Sequence, residues 1–168
     1  SGSPVIGVSV KNCSFTNTPG ARNVYYGTEI TFLSDQINTS IESGLEISNN
    51  TLLNSYKGIY IYKYNGITVR GNTIRGDGQN DKGLDFGYLR GNGIIENNSI
   101  YGPETTSGMY FDYCQGTNDT TRISVVNNRI LTEDYGIYSN YSYYTDFYYN
   151  TIHIRDEYPL RAYYNQNI

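Results

Sequence analysis

The sequence has no tryptophan, two cysteines and one histidine, and charged residues make up only 17% of it. Each shortage excludes something. His153 sits between Ile152 and Ile154, an arrangement that faces it outward with no second donor, so it argues against a histidine metal centre and a His-dependent triad. Lys and Arg form no cluster and the net charge is −4, which argues against a nucleic-acid backbone as partner. No apolar run reaches the length of a membrane span, and no signal-peptide pattern is present. Cys13 and Cys114 fall about four coils apart in the repeat described below, roughly 19 Å at about 4.8 Å per coil. A disulfide needs its Cα atoms within about 7 Å, so these two should not pair, and Cys13 is expected to fill a turn. Charge this sparse does not describe a disordered segment, and 38% hydrophobic residues do not describe a large globular core.

Asn, Gly, Thr, Ser and 20 tyrosines fill the difference. Tyr, Thr, Ile and Val favour strands, whereas Asn and Gly favour turns. The 168 residues fit one domain, built of many short strands joined by tight turns.

A repeat organises them. Its core is a β-branched or aromatic residue, two further residues, Asn, one residue, then an apolar residue. It occurs at Ile47 to Leu52, Val69 to Ile74, Ile95 to Ile100, Val125 to Ile130 and Phe147 to Ile152, with a degenerate first copy at Val10 to Phe15 in which Cys13 takes the Asn place. Successive ladder positions (Cys13, Asn50, Asn72, Asn98, Asn128, Asn150) are 37, 22, 26, 30 and 22 residues apart. The recurring shortest value predicts a fixed coil with insertions at one corner. About ten residues after each Asn comes a second motif: Gly58-Ile59-Tyr60-Ile61, Gly83-Leu84-Asp85-Phe86, Gly108-Met109-Tyr110-Phe111 and Gly136-Ile137-Tyr138-Ser139. Gly27 to Ile30 and Pro159 to Ala162 are the outer members. Two short strands per coil are expected.

A strand of four or five residues cannot bury its apolar face alone, but copies stacked on one another can. Ile59, Leu84, Met109 and Ile137 should form one inward column, and Leu52, Ile74, Ile100, Ile130 and Ile152 another. Each ladder Asn should sit at a tight bend, in the left-handed conformation Asn tolerates, and hydrogen-bond to its neighbours above and below. The predicted fold is all-β: a right-handed parallel β-helix of about six coils with an Asn turn ladder.

The Asn-Asn-Thr/Ser-Ile turn followed by Gly-Ile-Tyr resembles the parallel β-helix repeats of pectate-lyase-like, periplasmic copper-maturation and archaeal or bacterial adhesin-like surface proteins. The resemblance runs from about Val8 to Ala162. It implies the fold and leaves the activity open, because such proteins include polysaccharide lyases, glycoside hydrolases, epimerases, phage tailspikes and non-catalytic surface proteins. Resemblance to pectate lyases would further imply Ca²⁺ held by clustered acids, with an Arg or Lys base. Asp77, Asp81, Lys82 and Asp85 are the nearest candidates, at a spacing that matches no fixed calcium loop; a solvated turn is the simpler account. No other cofactor is implied.

Period-two alternation places Tyr60, Asp85, Tyr110 and Tyr138 on the outer face, with Tyr62, Gly87, Asp112 and Asn140 two residues further along. Tyr60, Tyr62, Asp85, Tyr110, Asp112 and Tyr138 form a candidate carbohydrate-binding stripe, with sugar rings stacking on phenol faces; plain strand propensity explains the tyrosines equally. Asp85 and Asp112 are the candidate catalytic carboxylates. On adjacent coils and offset by two residues, they should lie roughly 8 Å apart, a gap suited to an inverting glycosidase. Asn38, Asn118 and Asn140 head Asn-x-Ser/Thr sequons and are the loop candidates for glycans. The Tyr-rich final third suits a lateral or end-on protein contact.

No amphipathic helix precedes the first coil or follows the last, although solenoids usually need caps. The chain is then either a piece of a longer surface protein or a unit whose ends meet those of neighbours in a filament. The function favoured by the sequence is a non-catalytic extracellular or cell-surface module, structural or adhesive, that self-associates end to end. The alternative is a domain that binds or cleaves polysaccharide.

Overall fold

The computed structural model describes residues 7–16, 28–34, 43–76, 82–102, 107–118 and 120–166. The chain winds through three strands per turn. The first coil holds β1 (Ser9–Lys11), β2 (Ser14–Thr16) and β3 (Thr28–Leu33). The second holds β4 (Glu46–Ser48), β5 (Thr51–Ser55) and β6 (Lys57–Tyr62). The third holds β7 (Thr68–Arg70), β8 (Thr73–Gly76) and β9 (Lys82–Gly87), and the fourth β10 (Gly93–Glu96), β11 (Ser99–Gly102) and β12 (Ser107–Asp112). The fifth holds β13 (Ile123–Val126), β14 (Arg129–Thr132) and β15 (Tyr135–Asn140), and the sixth β16 (Thr145–Tyr148), β17 (Thr151–Ile154) and β18 (Tyr158–Tyr163). Equivalent strands pair in parallel to give three sheets of six strands each, β1-β4-β7-β10-β13-β16, β2-β5-β8-β11-β14-β17 and β3-β6-β9-β12-β15-β18. The molecule is a parallel β-helix.

Three strands per coil replace the two expected. The Asn motif is the corner between two strands, not part of one. This corner is always two residues long, from Asn12-Cys13 to Tyr149-Asn150. Length varies at both other corners instead of at one: between β2 and β3 as well as between β12 and β13. The Asn ladder, repeated from coil to coil, ties this corner at the same length each time.

The left-handed residue at this corner is the one before the ladder Asn, not the Asn itself. Asn12, Asn49, Gly71, Asn97, Asn127 and Tyr149 have φ between 55° and 64°. That kink turns the chain, and the ladder Asn then points inward. Asn72 is typical. Its backbone N–H and its Nδ2 both donate to Asn98 Oδ1 at 3.0 Å. Its Nδ2 also donates to the Ile47 carbonyl, at 2.9 Å, in the coil before. Asn50, Asn98 and Asn128 repeat the scheme, the first member is the Cys13 N–H donating to Asn50 Oδ1, and Asn150 keeps the bond from its Nδ2 to the coil before, at the Val125 carbonyl. Buried amides are costly unless paired; here each pairs with the coils around it.

The core fills the space between the sheets. Val10, Ile47, Val69, Ile95, Val125 and Phe147 stand in register on the first sheet. Phe15, Leu52, Ile74, Ile100, Ile130 and Ile152 do so on the second, and Ile30, Ile59, Leu84, Met109, Ile137 and Leu160 on the third. The glycines that open four of the third-sheet motifs, Gly58, Gly83, Gly108 and Gly136, let these columns meet. A Cβ on Gly108 would come within 2.4 Å of Ile130 Cγ2 and 2.7 Å of the Gly136 carbonyl, so only glycine fits between the isoleucine column and the next strand.

Candidate functional site

The six residues of the expected carbohydrate-binding stripe share one wall, the outer face of the third sheet. Tyr60, Asp85, Tyr110, Tyr138 and Arg161 form one register column. Tyr62, Gly87, Asp112, Asn140 and Tyr163 form the next. Gly87 leaves room for the Tyr62 ring, which a Cβ would approach to 2.7 Å.

Asp85 was expected on the solvent face, yet it is 5% exposed. Tyr60 and Tyr110 flank it in register, and two ammonium groups close over it: Lys57 Nζ lies 2.8 Å from Oδ2 and Lys82 Nζ 3.3 Å. Its charge is therefore compensated where it lies, as a buried carboxylate requires. Burial, and then the Asp85 charge, push the Tyr60 phenol above its ordinary value. Asp112 lies on the neighbouring coil with the offset read from the sequence, and its Oδ1 accepts a hydrogen bond from Asn140 Nδ2 at 2.9 Å. The two carboxylates have separate partners and do not address a common point through a shared hydrogen bond.

The tyrosine faces are also engaged. Lys82 Nζ stands 3.6 Å from the Tyr110 centroid, Tyr110 stacks on Tyr138 at 5.1 Å, and Arg161 lies 5.6 Å from Tyr138. Lys57 lies over Tyr60 and Lys63 over Tyr62, each at 4.9 Å. The Tyr110–Tyr138 pair is thus two stacked rings with Lys82 over one and Arg161 by the other, a geometry the ring quadrupole favours. Tyr60, Tyr62, Tyr110 and Tyr138 are all half-buried.

A second tyrosine column was missed. Tyr88, Tyr113, Tyr141 and Tyr164 stack at 5.1, 4.9 and 4.8 Å with nearly parallel planes. Each has positive φ, between 46° and 53° here, a conformation uncommon outside glycine and Asn. The signal was present in the sequence: each is the fifth residue after the motif's opening Gly83, Gly108, Gly136 or Pro159.

The remaining candidates scatter. Asp77 and Asp81 of the calcium set, and the sequon residue Asn38, lie outside the described residues. Lys82 and Asp85 pair with each other. Asn118 is exposed and its Oδ1 accepts from Thr120 N and Oγ1. Asn140 is not in a loop: it ends β15 and holds Asp112. His153 is exposed on β17. Cys13 is exposed in the first coil, whereas Cys114 is buried in the fourth, three coils away and not four, at a different corner. Burial pushes the Cys114 thiol up to about 12. Among the described residues no group of three or more His, Cys, Asp or Glu is gathered in one place, and no helix is long and apolar enough to cross a membrane.

A search of curated proteins and a search of solved structures return no match. One family model does match, over residues 6–167, described as periplasmic copper-binding protein (NosD). With nearly its whole length matched, and the repeated coils that such a match implies present in the fold, the chain belongs to the NosD family.

Proposed function

We propose that the chain is a non-catalytic module of the cell exterior, a structural and adhesive β-helix whose third-sheet wall is its contact surface. The periplasmic description of the family agrees with a place outside the cytoplasm. The observation that carries this reading is the state of the wall: Asp85 is buried under two lysines and the phenol faces are taken by one another or by cations. General acid catalysis needs a carboxyl group within reach of the scissile oxygen, and Asp85 is walled off from any. Incubation with a panel of neutral and acidic polysaccharides tests the proposal, reading new reducing ends and unsaturated products. No turnover is expected on any of them; reproducible cleavage would overturn it.

Retention of a polysaccharide without cleavage is the second reading, supported by the column of half-exposed tyrosines, Tyr60, Tyr110 and Tyr138, along one wall. End-on association is a third element of the proposal. Leu160 and Tyr163 on β18 are both more than two-fifths exposed. The backbone N–H of Asn150, whose counterparts all donate to the next ladder residue, has no partner among the described residues. A second copy stacked there would present Cys13, which has no amide oxygen to accept that hydrogen bond.

The family description names copper, and the donors of this chain do not fit it. Copper is held by thiolate, thioether and imidazole groups. The two Cys, one Met and one His of the sequence are all described. Cys13 and His153 are exposed five coils apart, Met109 is buried in the core, and Cys114 is buried with its thiol protonated. No step of the proposed function passes through a metal.

A further inference from the structure

The outer face of the second sheet differs from the rest of the molecule in charge. The chain is acidic overall, and the first sheet carries Glu46, Glu96 and Asp146 beside Lys11 and Arg70, both of which pair with Glu46. The six strands of the second sheet contain no Asp or Glu at all, but do contain Arg75 and Arg129. Both guanidinium groups are exposed, and neither has an ion-pair or hydrogen-bond partner among the described residues.

The two arginines border one groove of about 380 Å³, together with Thr73, Ser99, Tyr101 and Leu131. The register fixes their arrangement. Arg75, Tyr101 and Leu131 stand in one column, and Thr73, Ser99 and Arg129 in the other. Arg75 and Arg129 are thus two coils and two residues apart, roughly 12 Å between Cα atoms, with Tyr101 and Ser99 between them. Side chains of this length can reach toward a common ligand across that span. Tyr101 is 48% exposed, and its ring takes part in no stacking or cation–π contact among the described residues. The third-sheet tyrosines Tyr60, Tyr62, Tyr110 and Tyr138, in contrast, have their rings engaged.

We propose that this groove binds an acidic polysaccharide, one whose sugars carry carboxylate or sulfate groups. A guanidinium pairs bidentately with either oxyanion. The Thr73 and Ser99 hydroxyls suit sugar hydroxyls, and the free Tyr101 ring supplies an apolar face for a sugar ring. A simple phosphate or sulfate ion would use only one arginine and leave Tyr101 idle, so the arrangement favours an extended ligand. The site lies on a different sheet from the third-sheet wall and does not depend on it.

Affinity electrophoresis in gels containing polygalacturonate, dextran sulfate or neutral dextran tests the proposal. Retardation by polygalacturonate or dextran sulfate, but not by neutral dextran, is expected, and which of the two acts identifies the oxyanion. Arg75→Gln and Arg129→Gln should each weaken binding about tenfold, the loss of a charge-assisted hydrogen bond, and Tyr101→Ala should weaken it too. Arg155→Gln, which removes an arginine outside the groove, should leave binding unchanged. All four side chains are exposed, so melting curves should superimpose on that of the parent chain. The proposal is overturned if neither acidic polymer retards the protein, if neutral dextran does so equally, or if the groove variants bind like the parent.

Discussion

At Ser139 the third-sheet column that runs Phe32, Ile61, Phe86 and Phe111 loses its bulk. Phe147, on the first sheet, packs edge-on against Phe111 at 5.5 Å and fills the space. The exchange of large and small residues between facing sheets keeps the core full. It leaves the Ser139 hydroxyl fully buried with no hydrogen-bond partner among the described residues. Ser139→Ala should therefore stabilise the protein by about 1 kcal/mol, a rise of about 2–4 °C in melting temperature for a chain of this size. Asp134 is the residue to probe by pH. Burial, with the charges of Glu157 and Asp156 behind it, holds its carboxyl above the ordinary 3.8. Its contribution to stability is thus complete below 3.8 and is lost as pH rises through the raised value. Asp134→Asn should melt higher than the parent chain at neutral pH, and the difference should vanish in melts below about pH 4. Single residues were the least legible level of the sequence. Alternation put Asp85 on the outer face correctly, but it carries no information on what stands beside a residue in the next coil. The lysines that cover Asp85 come from one coil below and from its own strand, and register alone brings them there.

The strands and corners were more legible, because the repeat itself is a record of stacking. Positions that must meet their own copies in the next coil carry the same residue type, so the Asn and Gly motifs marked a corner and a strand start. The third strand of each coil escaped notice because it lies directly before the Asn corner and is only three or four residues long. Its inward residue, such as Ile47, Val69 or Ile95, opens the Asn motif itself and so gives no signal of a separate strand. The αL tyrosines escaped for a different reason: Tyr is a strand former, and nothing in its own chemistry marks a left-handed bend. The ladder makes the clearest element-level test. Asn98→Ala would remove the acceptor for the Asn72 N–H and the donor to the Val69 carbonyl, both in the buried interior. A loss of about 2–3 kcal/mol is expected from these unpaired groups, visible as a lower midpoint in urea or thermal unfolding. An unchanged midpoint would mean that the ladder contributes little beyond filling space.

The whole molecule is quasi-one-dimensional, so its stability and its associations both pass through coil-on-coil contacts. An end-on joint between copies would set the Asn150 N–H against Cys13, leaving the ladder broken. Such a joint should be weaker than any contact inside the chain, giving filaments only at high protein concentration. Cys13→Asn supplies the missing amide oxygen and should lower the concentration at which filaments appear by electron microscopy and light scattering. An unchanged threshold, or no assembly by either protein, would remove end-on stacking from the proposed function. The third-sheet wall is the feature on which a passive module and an enzyme differ most. The most direct measurement is therefore on the Asp85→Asn, Asp112→Asn double variant, comparing its thermal unfolding and its action on the polysaccharide panel with those of the parent chain. A stability loss of about 2–4 kcal/mol, from lysines left without their buried counter-charge, and no turnover by either protein are the outcomes expected of a structural wall. Turnover by the parent chain that disappears in the variant, with the melting curve unmoved, would contradict it.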